Sequence, residues 1–321
     1  MLALVRTPQG QLELQRDYPD PKPAPDELLL QVTHAGICGT DLEILKGYSD
    51  FHGVPGHEFT ATVLKGPKEL KNKRVVAEIN CVCSRCDMCQ SGLANHCRNR
   101  TVLGIVGRDG AFAQQIAVPQ RNVYPIPDSL SDDQAVFVEP LAAALQIVKQ
   151  TPIESRDRCL VLGDGSLGLL AVQVLANAAK KGNVLIVGKH PEKLLFAEKR
   201  GIQGLHLPDL HVKPEYDLVV DCTGSADGFQ TAAHLVRPRG RLVLKSTVAG
   251  GGHLDLAPLV VNEILLIGSR CGPFADAINA LAAGQIETNG LISARFPLEK
   301  ALQALETAQN PHHLKVVLDM H

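Results

Sequence analysis

The chain has 321 residues, enough for two domains of ordinary size, and its 45% hydrophobic and 21% charged residues are typical of a globular protein. The formal charge of −2, from 32 basic and 34 acidic residues, gives no reason to expect nucleic acid or an anionic membrane as a partner. No apolar run reaches the length of a membrane span, and residues 1–8 are too soon interrupted to form a signal peptide. We therefore expect a cytoplasmic protein, in which nine cysteines need a metal or redox explanation before a disulfide one.

The first 139 residues contain short β-prone runs that glycine and proline separate. The predicted strands are 28–32, 59–64, 74–77 and 114–118. Four prolines between positions 19 and 25 predict an extended connector. This half of the chain is therefore predicted to form a β-rich domain, either a barrel or a folded sheet.

Cys38 and His57 lie 19 residues apart in this half, in a segment with almost no helical pattern, and Glu58 follows directly. A thiolate, an imidazole and a carboxylate are the ligand types of an open catalytic zinc site. One Cys and one His in a loop-rich region are more often structural, so the rest of the chain must decide between the two interpretations.

A second cluster has the spacing C-x2-C-x2-C-x7-C and consists of Cys83, Cys86, Cys89 and Cys97. Four thiolates so close in sequence can close a tetrahedral structural zinc site without distant ligands. An iron–sulfur cluster also takes four thiolates, but its common motifs space the last cysteine differently. Four unrelated buried cysteines are the third interpretation. A closed zinc lobe would stabilise the fold and leave no coordination position open for a substrate.

From about residue 140, apolar runs of strand length alternate with helical segments. Strands are predicted at 159–163, 183–188, 217–221, 241–244 and 264–268, and helices at 166–181 and 191–200. Strands that are apolar throughout and alternate with helices predict a parallel sheet covered on both faces. Beyond residue 272 the pattern is helical, and the chain ends in a predicted strand at 314–318.

The first of these strands runs into the motif GxGxxG, and a predicted helix follows it. The residues that would face a dinucleotide are Gly163, Gly165, Ser166, Leu167 and Gly168. The first glycine makes the turn, the second lets the backbone approach a pyrophosphate, and the third lets the helix pack on the sheet. A simple glycine turn is the alternative, but the strand before it and the helix after it favour a dinucleotide site.

The second predicted strand of this sheet ends in Gly188, Lys189 and His190. An NAD-binding site usually has an acid here, which accepts hydrogen bonds from the ribose hydroxyls. A small residue followed by two potential cations instead fits a 2′-phosphate. We therefore predict a preference for NADP(H), with NAD(H) possible; in the alternative interpretation Lys189 is only a solvated surface charge.

The order of these motifs resembles that of the zinc-dependent medium-chain dehydrogenase/reductase family, the alcohol and polyol dehydrogenases. The resemblance covers nearly the whole chain and includes the further segments 109–113, 138–142 and 239–243. It implies an α/β protein with a GroES-like β-rich catalytic domain, a Rossmann domain with a doubly wound parallel sheet, and a catalytic zinc in the cleft between them. The implied bounds are 1–140 for the catalytic domain with its zinc lobe at 81–98, 141–275 for the Rossmann domain, and 276–321 for a C-terminal return to the catalytic domain.

By the same resemblance, Cys38 and His57 are zinc ligands, and Glu58 is a direct or switching ligand. Glu139 occupies the place of a second cysteine in liver-type relatives, and would bind zinc directly, bind it through water, or form a salt bridge at the domain junction. Asp41 would orient the ring of His57 or only cap the local loop.

The resemblance also implies the chemistry. Zinc acts as a Lewis acid on the substrate oxygen, Thr40 takes the alcohol proton, and a hydride passes to the nicotinamide. Many relatives continue the proton relay through a His five residues after the ligand Cys, where this chain has Glu43, so the relay beyond Thr40 stays open. Tyr48, Phe51 and His52 would line the substrate pocket or simply pack.

These observations predict a zinc-dependent NAD(P)-dependent alcohol dehydrogenase with two zinc ions per chain, acting on a secondary alcohol, a polyol or a sugar. The alternatives are a biosynthetic NADPH-dependent carbonyl reductase of the same family and a non-catalytic nucleotide-binding relative. We expect a small-molecule alcohol or carbonyl substrate and a homo-oligomer, dimer or tetramer. The apolar run 263–268 is a candidate edge for pairing between subunits.

Overall fold

The computed structural model describes residues 1–47, 50–246 and 254–320. The chain divides into two compact units. The first consists of Met1–Glu139 and Phe274–His321, and the second of Pro140–Pro273. Among the described residues, no helix combines the length and the hydropathy that a membrane span requires.

Short strands dominate the first unit, and strands alternate with helices in the second. The strands are β1 (Ala3–Arg6), β2 (Leu12–Gln15), β3 (Glu27–Gly36), β4 (Glu58–Lys65), β5 (Arg74–Ala77), β6 (Asn80–Cys81), β7 (Thr101–Val102), β8 (Gln115–Pro119), β9 (Val123–Pro125), β10 (Cys159–Leu162), β11 (Val184–Gly188), β12 (Gln203–His206), β13 (Tyr216–Asp221), β14 (Val236–Leu244), β15 (Leu265–Gly268), β16 (Ile292–Pro297) and β17 (Lys315–Asp319). The α-helices are α1 (Gly39–Leu45), α2 (Asp87–Gln90), α3 (Asp132–Ala135), α4 (Val138–Gln150), α5 (Ser166–Ala178), α6 (Pro191–Glu198), α7 (Ala226–Leu235), α8 (Ala257–Val261), α9 (Phe274–Ala282) and α10 (Ala301–Gln309). Short 3-10 turns lie at Ala94–His96, Gln120–Asn122, Lys181–Asn183, Leu207–Asp209 and Leu298–Lys300.

The first unit is built around a seven-stranded sheet in the order β16-β17-β3-β4-β5-β9, with β8 also paired to β3. Strand β3 is the longest, and it pairs with β4, β8 and β17. Its apolar residues Leu28, Leu30 and Val32 are almost fully buried, because both edges of the strand and the face that carries them are covered. Two-stranded ribbons, β1-β2 and β6-β7, complete the β structure described for this unit.

The C-terminal segment contributes two strands to this sheet. Strand β17 pairs antiparallel with β3 and parallel with β16. The strand predicted at 314–318 corresponds to β17, whereas β16 was not predicted. Side chains of β16 alternate between partly buried and exposed, so its sequence lacks the continuous apolar run that marks the buried strands.

The second unit is a parallel sheet of six strands in the order β12-β11-β10-β13-β14-β15. This is the doubly wound order, and the predicted fold class is confirmed. Every residue of β10 and β11 is buried, as the apolar sequences predicted. The direction of winding reverses between the neighbouring strands β10 and β13, which is where such folds form a ligand crevice at the carboxyl ends of the strands.

Several element ends differ from the predicted ones. Helix α5 ends at Ala178 rather than near 181, because Ala179 is extended, and α6 ends at Glu198 rather than at 200. Strand β14 begins at Val236, well before the predicted 241, since Tyr216 pairs with Val236 ahead of an irregularity in the β13–β14 register.

Candidate metal and nucleotide sites

Cys38 lies at the N-cap of helix α1, two residues after the end of strand β3. Its backbone N–H donates to Asp41 Oδ2 at 2.8 Å, and the backbone N–H of Thr40 donates to Cys38 Sγ at 3.5 Å. Cys38 and Asp41 also form a capping box, in which each side chain accepts the other residue's backbone N–H and a sulfur replaces the usual hydroxyl of the first residue. The local sequence therefore fixes both the start of the helix and the position of the thiol.

Asp41 also faces the ring of His57, which immediately precedes strand β4. Asp41 Oδ1 lies 3.3 Å from His57 Nδ1, and both residues are almost fully buried. The two atoms do not form an aligned hydrogen bond, so the contact is a close approach of a carboxylate to a ring nitrogen. The same carboxylate therefore makes the local cap and approaches the His57 ring, two contacts that the sequence presented as alternatives.

Cys38, His57 and Glu58 offer ligand atoms that all lie within 4.8 Å of one another. Because Asp41 lies on the Nδ1 side of the imidazole, Nε2 is the ring nitrogen suited to a metal. A thiol, an imidazole and a carboxyl at this separation fit a zinc ion and leave a position for another ligand.

The charges around His57 support this fit. Burial alone would lower the pKa of His57, but the Asp41 carboxylate and the Cys38 thiolate together raise it well above its ordinary value. The same two negative groups that hold a proton on the ring would attract a divalent cation in its place. Metal binding would therefore release that proton.

Lys315 is a residue of this site that the sequence reasoning missed. It comes from strand β17, is only 2% exposed, and its Nζ contacts Glu58 Oε2 and donates to the carbonyl of Ile37 at 3.1 Å. Burial lowers the pKa of Lys315, but the Glu58 carboxylate and the Cys38 thiolate outweigh it and raise the pKa above its ordinary value. The sequence did contain a signal for this contact, because a lysine inside the apolar run 314–318 needs a buried partner.

The other predicted residues of this site lie as follows. Thr40 is half-buried in the first turn of α1. Glu139 is half-buried in the first turn of α4 and lies outside the group of three ligands. Glu43 Oε1 lies 2.8 Å from Lys46 Nζ, so this carboxylate forms an ion pair on its own helix.

The three residues considered for the lining of the substrate pocket do not share one environment. Phe51 is buried and its carbonyl accepts a hydrogen bond from the Arg6 guanidinium, which favours packing. His52 is exposed, and Tyr48 lies outside the described residues.

The four-cysteine lobe brings its sulfur atoms together. The Cys86–Cys89 and Cys83–Cys97 sulfurs are 3.5 Å apart, and the Cys86–Cys97 sulfurs are 3.7 Å apart. Disulfide sulfurs would be about 2.0 Å apart, whereas four sulfurs around one tetrahedral zinc lie about 3.8 Å apart. All four cysteines are free thiols, so the geometry fits a structural zinc.

The ionisation of the four cysteine thiols also favours a bound cation. The backbone N–H of Arg85 and the amide of Asn99 lower the pKa of the Cys83 thiol to about 6. Burial and the neighbouring sulfur of Cys86 raise the pKa of Cys89 to about 12. Four thiolates repel one another, so all four ionise together only around a positive ion.

The glycine loop of the second unit connects β10 to α5 at the reversal of winding. Helix α5 has Gly165 as its N-cap, with no side-chain cap, so its first backbone N–H groups remain for a ligand. A Cβ at Gly165 would meet no atom within 4 Å, whereas a Cβ at Gly168 would lie 2.0 Å from Gly163 O. The loop thus has an open side for a pyrophosphate and a tight contact between helix and sheet, and it fits a dinucleotide.

Lys189 and His190 follow strand β11 as predicted, at the same edge of the sheet. Lys189 is exposed, and His190 is partly buried at the N-cap of α6. The His190 backbone N–H donates to Asp164 Oδ2 at 2.7 Å, a contact that the sequence did not indicate.

Comparison with known proteins agrees with both units. A family model described as the alcohol dehydrogenase GroES-like domain matches residues 24–128, and one described as zinc-binding dehydrogenase matches residues 166–284. L-threonine 3-dehydrogenase of Mesorhizobium japonicum is 27% identical over 342 residues, which cover 99% of this chain and 98% of that protein. D-arabitol-phosphate dehydrogenase of Enterococcus avium and D-arabinitol dehydrogenase 1 of Uromyces fabae are also 27% identical, covering 94% and 91% of this chain and 92% and 90% of those proteins.

Solved structures match over the whole length. A Sinorhizobium meliloti protein described as a zinc-binding dehydrogenase, bound to NADP, is 29% identical with a TM-score of 0.89 and 99% of each chain covered. An alcohol dehydrogenase of Escherichia coli CFT073, complexed with NADH, is 26% identical with a TM-score of 0.88, covering 100% of this chain and 99% of the other.

The fold, the glycine loop and the ligand sets define an oxidoreductase of alcohols or polyols that uses a nicotinamide cofactor. The chain belongs to the medium-chain dehydrogenase family, as the resemblance in its sequence predicted.

The buried pair beside the metal ligands gives a test of stability. Lys315→Met should leave the Glu58 charge buried without its partner, so we expect urea unfolding to report a loss of about 3–5 kcal/mol. The double variant Glu58→Gln with Lys315→Met removes both charges and should recover most of that loss. A Lys315→Met protein as stable as the parent would contradict the interpretation that Lys315 neutralises a buried Glu58 charge.

Proposed function

We propose that this protein interconverts a secondary alcohol or a polyol and its carbonyl compound, using zinc and NADP(H). The observation that carries the proposal is the convergence of Cys38, His57 and Glu58 in the same chain as a glycine loop fit for a dinucleotide. The ligand set supports an open catalytic metal, and the loop supports a hydride carrier. The names of the relatives favour alcohols of the secondary and polyol type.

The contacts among the candidate ligands indicate how each residue would hold the metal. Cys38 Sγ and His57 Nε2 would hold the ion, with Asp41 keeping the imidazole in orientation. Lys315 restrains Glu58 through Oε2, so we propose that Glu58 is a switching ligand rather than a permanent one. Glu139 lies outside the group of three, and we propose that it reaches the ion through water.

The reaction needs a Lewis acid, a proton acceptor and a hydride acceptor. A bound zinc ion supplies the first by lowering the pKa of an alcohol, and a bound nicotinamide supplies the last. Thr40, whose backbone donates to Cys38 Sγ, is positioned next to the metal ligand, and we propose that its hydroxyl relays the proton, accepting it from the alcohol while donating its own proton to solvent water. Glu43 is paired with Lys46, which argues against Glu43 as the next carrier.

Metal content tests the assignment of the two sites. We expect two zinc ions per chain in the parent protein, measured by plasma mass spectrometry. Cys38→Ser should lose one zinc and at least about 10³-fold in turnover, because the Lewis acid is removed, while nucleotide binding is kept. Cys97→Ser should also lose one zinc, but mainly lower the melting temperature.

Cys81→Ser is the matched control for these variants. Cys81 is buried next to the lobe and is not one of its four cysteines, so the variant should keep both zinc ions. Two zinc ions and full turnover in Cys38→Ser would contradict the catalytic assignment.

The preference for NADP(H) is proposed from the end of strand β11. Lys189 and His190, rather than an acid, directly follow the strand, and Lys189 is exposed, as a partner for a 2′-phosphate needs to be. Structures of relatives contain NADP in one case and NADH in the other, so the support comes from the residues of this chain.

Reversal of one charge tests this preference. We expect the parent to have a higher kcat/KM with NADP⁺ than with NAD⁺. Lys189→Glu should reduce the NADP⁺/NAD⁺ ratio of kcat/KM by at least about tenfold, because the new carboxylate repels the 2′-phosphate and accepts hydrogen bonds from the ribose hydroxyls. Lys213→Glu, at another exposed lysine of the same unit, should leave the ratio unchanged. A parent enzyme that prefers NAD⁺ would refute the proposal.

We also propose that the protein is cytoplasmic, because none of its nine cysteines forms a disulfide.

We further propose a homodimer that pairs through strand β15. Strand β15 is the edge of its sheet, and its Leu265 and Leu266 are 58% and 41% exposed. Val260 and Val261 of the neighbouring helix α8 are 76% and 78% exposed. An open strand edge with an apolar surface favours antiparallel pairing with a second copy.

Light scattering after size-exclusion chromatography tests this surface. The parent should elute as a dimer or a multiple of it, and Leu266→Glu should shift the protein to the monomer, because a charge at the edge opposes strand pairing. Leu302→Glu, at a comparably exposed leucine of helix α10, should leave the assembly intact. A monomeric parent, or a dimeric Leu266→Glu variant, would contradict the proposed interface.

A further inference from the structure

The backbone directly before His57 is held by a segment that lies about 55 positions further along the chain, residues 109–112. Three backbone hydrogen bonds join the two segments: Gly110 N–H to Val54 O at 2.6 Å, Phe112 N–H to Pro55 O at 2.9 Å, and Ala111 N–H to Gly56 O at 2.9 Å. Every carbonyl of residues 54–56 is therefore bound by residues 109–112. The chain that leads into His57 is fixed by contacts outside its own loop.

The side chain of Asp109 adds a further bond to the same loop. Its Oδ1 accepts the backbone N–H of Val54 at 2.9 Å, and its Oδ2 accepts the phenol O–H of Tyr18 at 2.9 Å. Burial and the Asp109 carboxylate raise the pKa of Tyr18 to about 12, so the phenol keeps its proton and stays the donor. One carboxylate therefore joins the loop before His57 to the N-terminal connector.

Two glycines of the loop bring it this close to residues 109–112. Gly53 and Gly56 have φ angles of 124° and 96°, in the region that favours glycine. A Cβ at position 53 would lie 2.4 Å from Asp109 Oδ1, and one at position 56 would lie 2.4 Å from the ring of Phe112. Because the packing leaves no space between the two segments, a shift of the Asp109 carboxylate would reach the loop backbone.

Strand β1 holds only the earlier part of the loop. The backbones of Arg6 and Gly53 exchange two hydrogen bonds, at 2.8 and 2.9 Å. The Arg6 guanidinium donates to the carbonyl of Phe51 at 2.5 Å. Residues 54–56, which lead directly into His57, depend instead on residues 109–112.

The position of His57 matters because a metal ligand tolerates little displacement. A zinc–nitrogen bond is about 2.0–2.1 Å long, and a functional side chain has to be held to within about 0.5 Å. Asp41 Oδ1, 3.3 Å from His57 Nδ1, acts on the ring and leaves the backbone of the ligand free to move. The bonds to residues 54–56 supply that second restraint.

We propose that Asp109 is a positioning residue for the open metal site, which holds Val54 and thereby fixes the backbone from which His57 reaches the ion. The proposal rests on the catalytic zinc site proposed above. The two carboxylate oxygens of Asp109 accept from Val54 and Tyr18, so Asp109 acts through the loop and does not itself bind the metal.

Metal binding to the full-length protein tests this without any turnover. The protein is dialysed against solutions of buffered free zinc, and the bound zinc is counted by plasma mass spectrometry. The ion of the four-cysteine lobe should be kept in every variant, so the second ion reports the open site. Asp109→Ala should raise the free zinc concentration at which the second ion is half bound by about tenfold, as expected when a group that orients a metal ligand is lost.

Two further variants show whether the hydrogen bonds cause the effect. Asp109→Asn keeps an oxygen for the Val54 N–H, so it should return the half-binding concentration to within about threefold of the parent. Tyr18→Phe removes only the bond to Oδ2 and should raise that concentration about threefold. It carries the test if Asp109→Ala does not fold. Tyr18→Phe combined with Asp109→Ala should be no weaker than Asp109→Ala alone, because Tyr18 acts through Asp109.

Asp20→Ala is the matched control. Asp20 is an exposed acid of the same unit, and its Oδ1 lies 3.2 Å from the Met1 amine, so its removal should leave both ions unchanged. A parent-like half-binding concentration in Asp109→Ala, even with a lower melting temperature, would mean that Asp109 only stabilises the fold. Loss of both ions together would mean general unfolding, and no recovery in Asp109→Asn would mean that the charge matters rather than the bond. Each of these results overturns the proposal.

The parent protein distinguishes this proposal from the one on which it rests. A parent that binds only one zinc ion per chain refutes the open metal site itself. A parent that binds two ions, with the same half-binding concentration as Asp109→Ala, refutes only the role of Asp109.

Discussion

The candidate metal site depends on the neutralisation of charges that are buried together where strands β3, β4 and β17 meet. Glu58 and Lys315 are both almost fully buried, and either alone would be costly to remove from water. Their pairing lets a carboxyl group lie next to Cys38 and His57, where a metal can use it. The C-terminal strand is therefore part of the site, because it carries the lysine.

Two buried aspartates of this chain each accept a backbone N–H and also contact an imidazole ring. Asp41 accepts the backbone N–H of Cys38 and faces the ring of His57, so the helix cap and the histidine are fixed by one carboxylate. Asp164 accepts the backbone N–H of His190 and contacts its ring. In both places a local backbone requirement also orients an imidazole, which explains how short loops can hold functional side chains rigidly.

The sequence predicted the features that are local and missed those that join distant segments. The second unit was predictable because β10 and β11 are apolar throughout, and the glycine motif lies between a strand and a helix. Strand β16 was missed since its residues are only half-buried. The Glu58–Lys315 contact joins residues 257 positions apart, which no spacing rule reveals, although a lysine within an apolar strand signalled a buried partner.

The central claim is that two metal centres of different chemistry occur in this chain, one closed by four sulfurs and one open between Cys38 and His57. Diffraction from a crystal of the protein, collected on both sides of the zinc absorption edge, tests it most directly. The account predicts two anomalous peaks per chain, one among the four cysteines and one within bonding distance of Cys38 Sγ and His57 Nε2. A single peak confined to the four-cysteine lobe, in protein that turns over an alcohol, would contradict it.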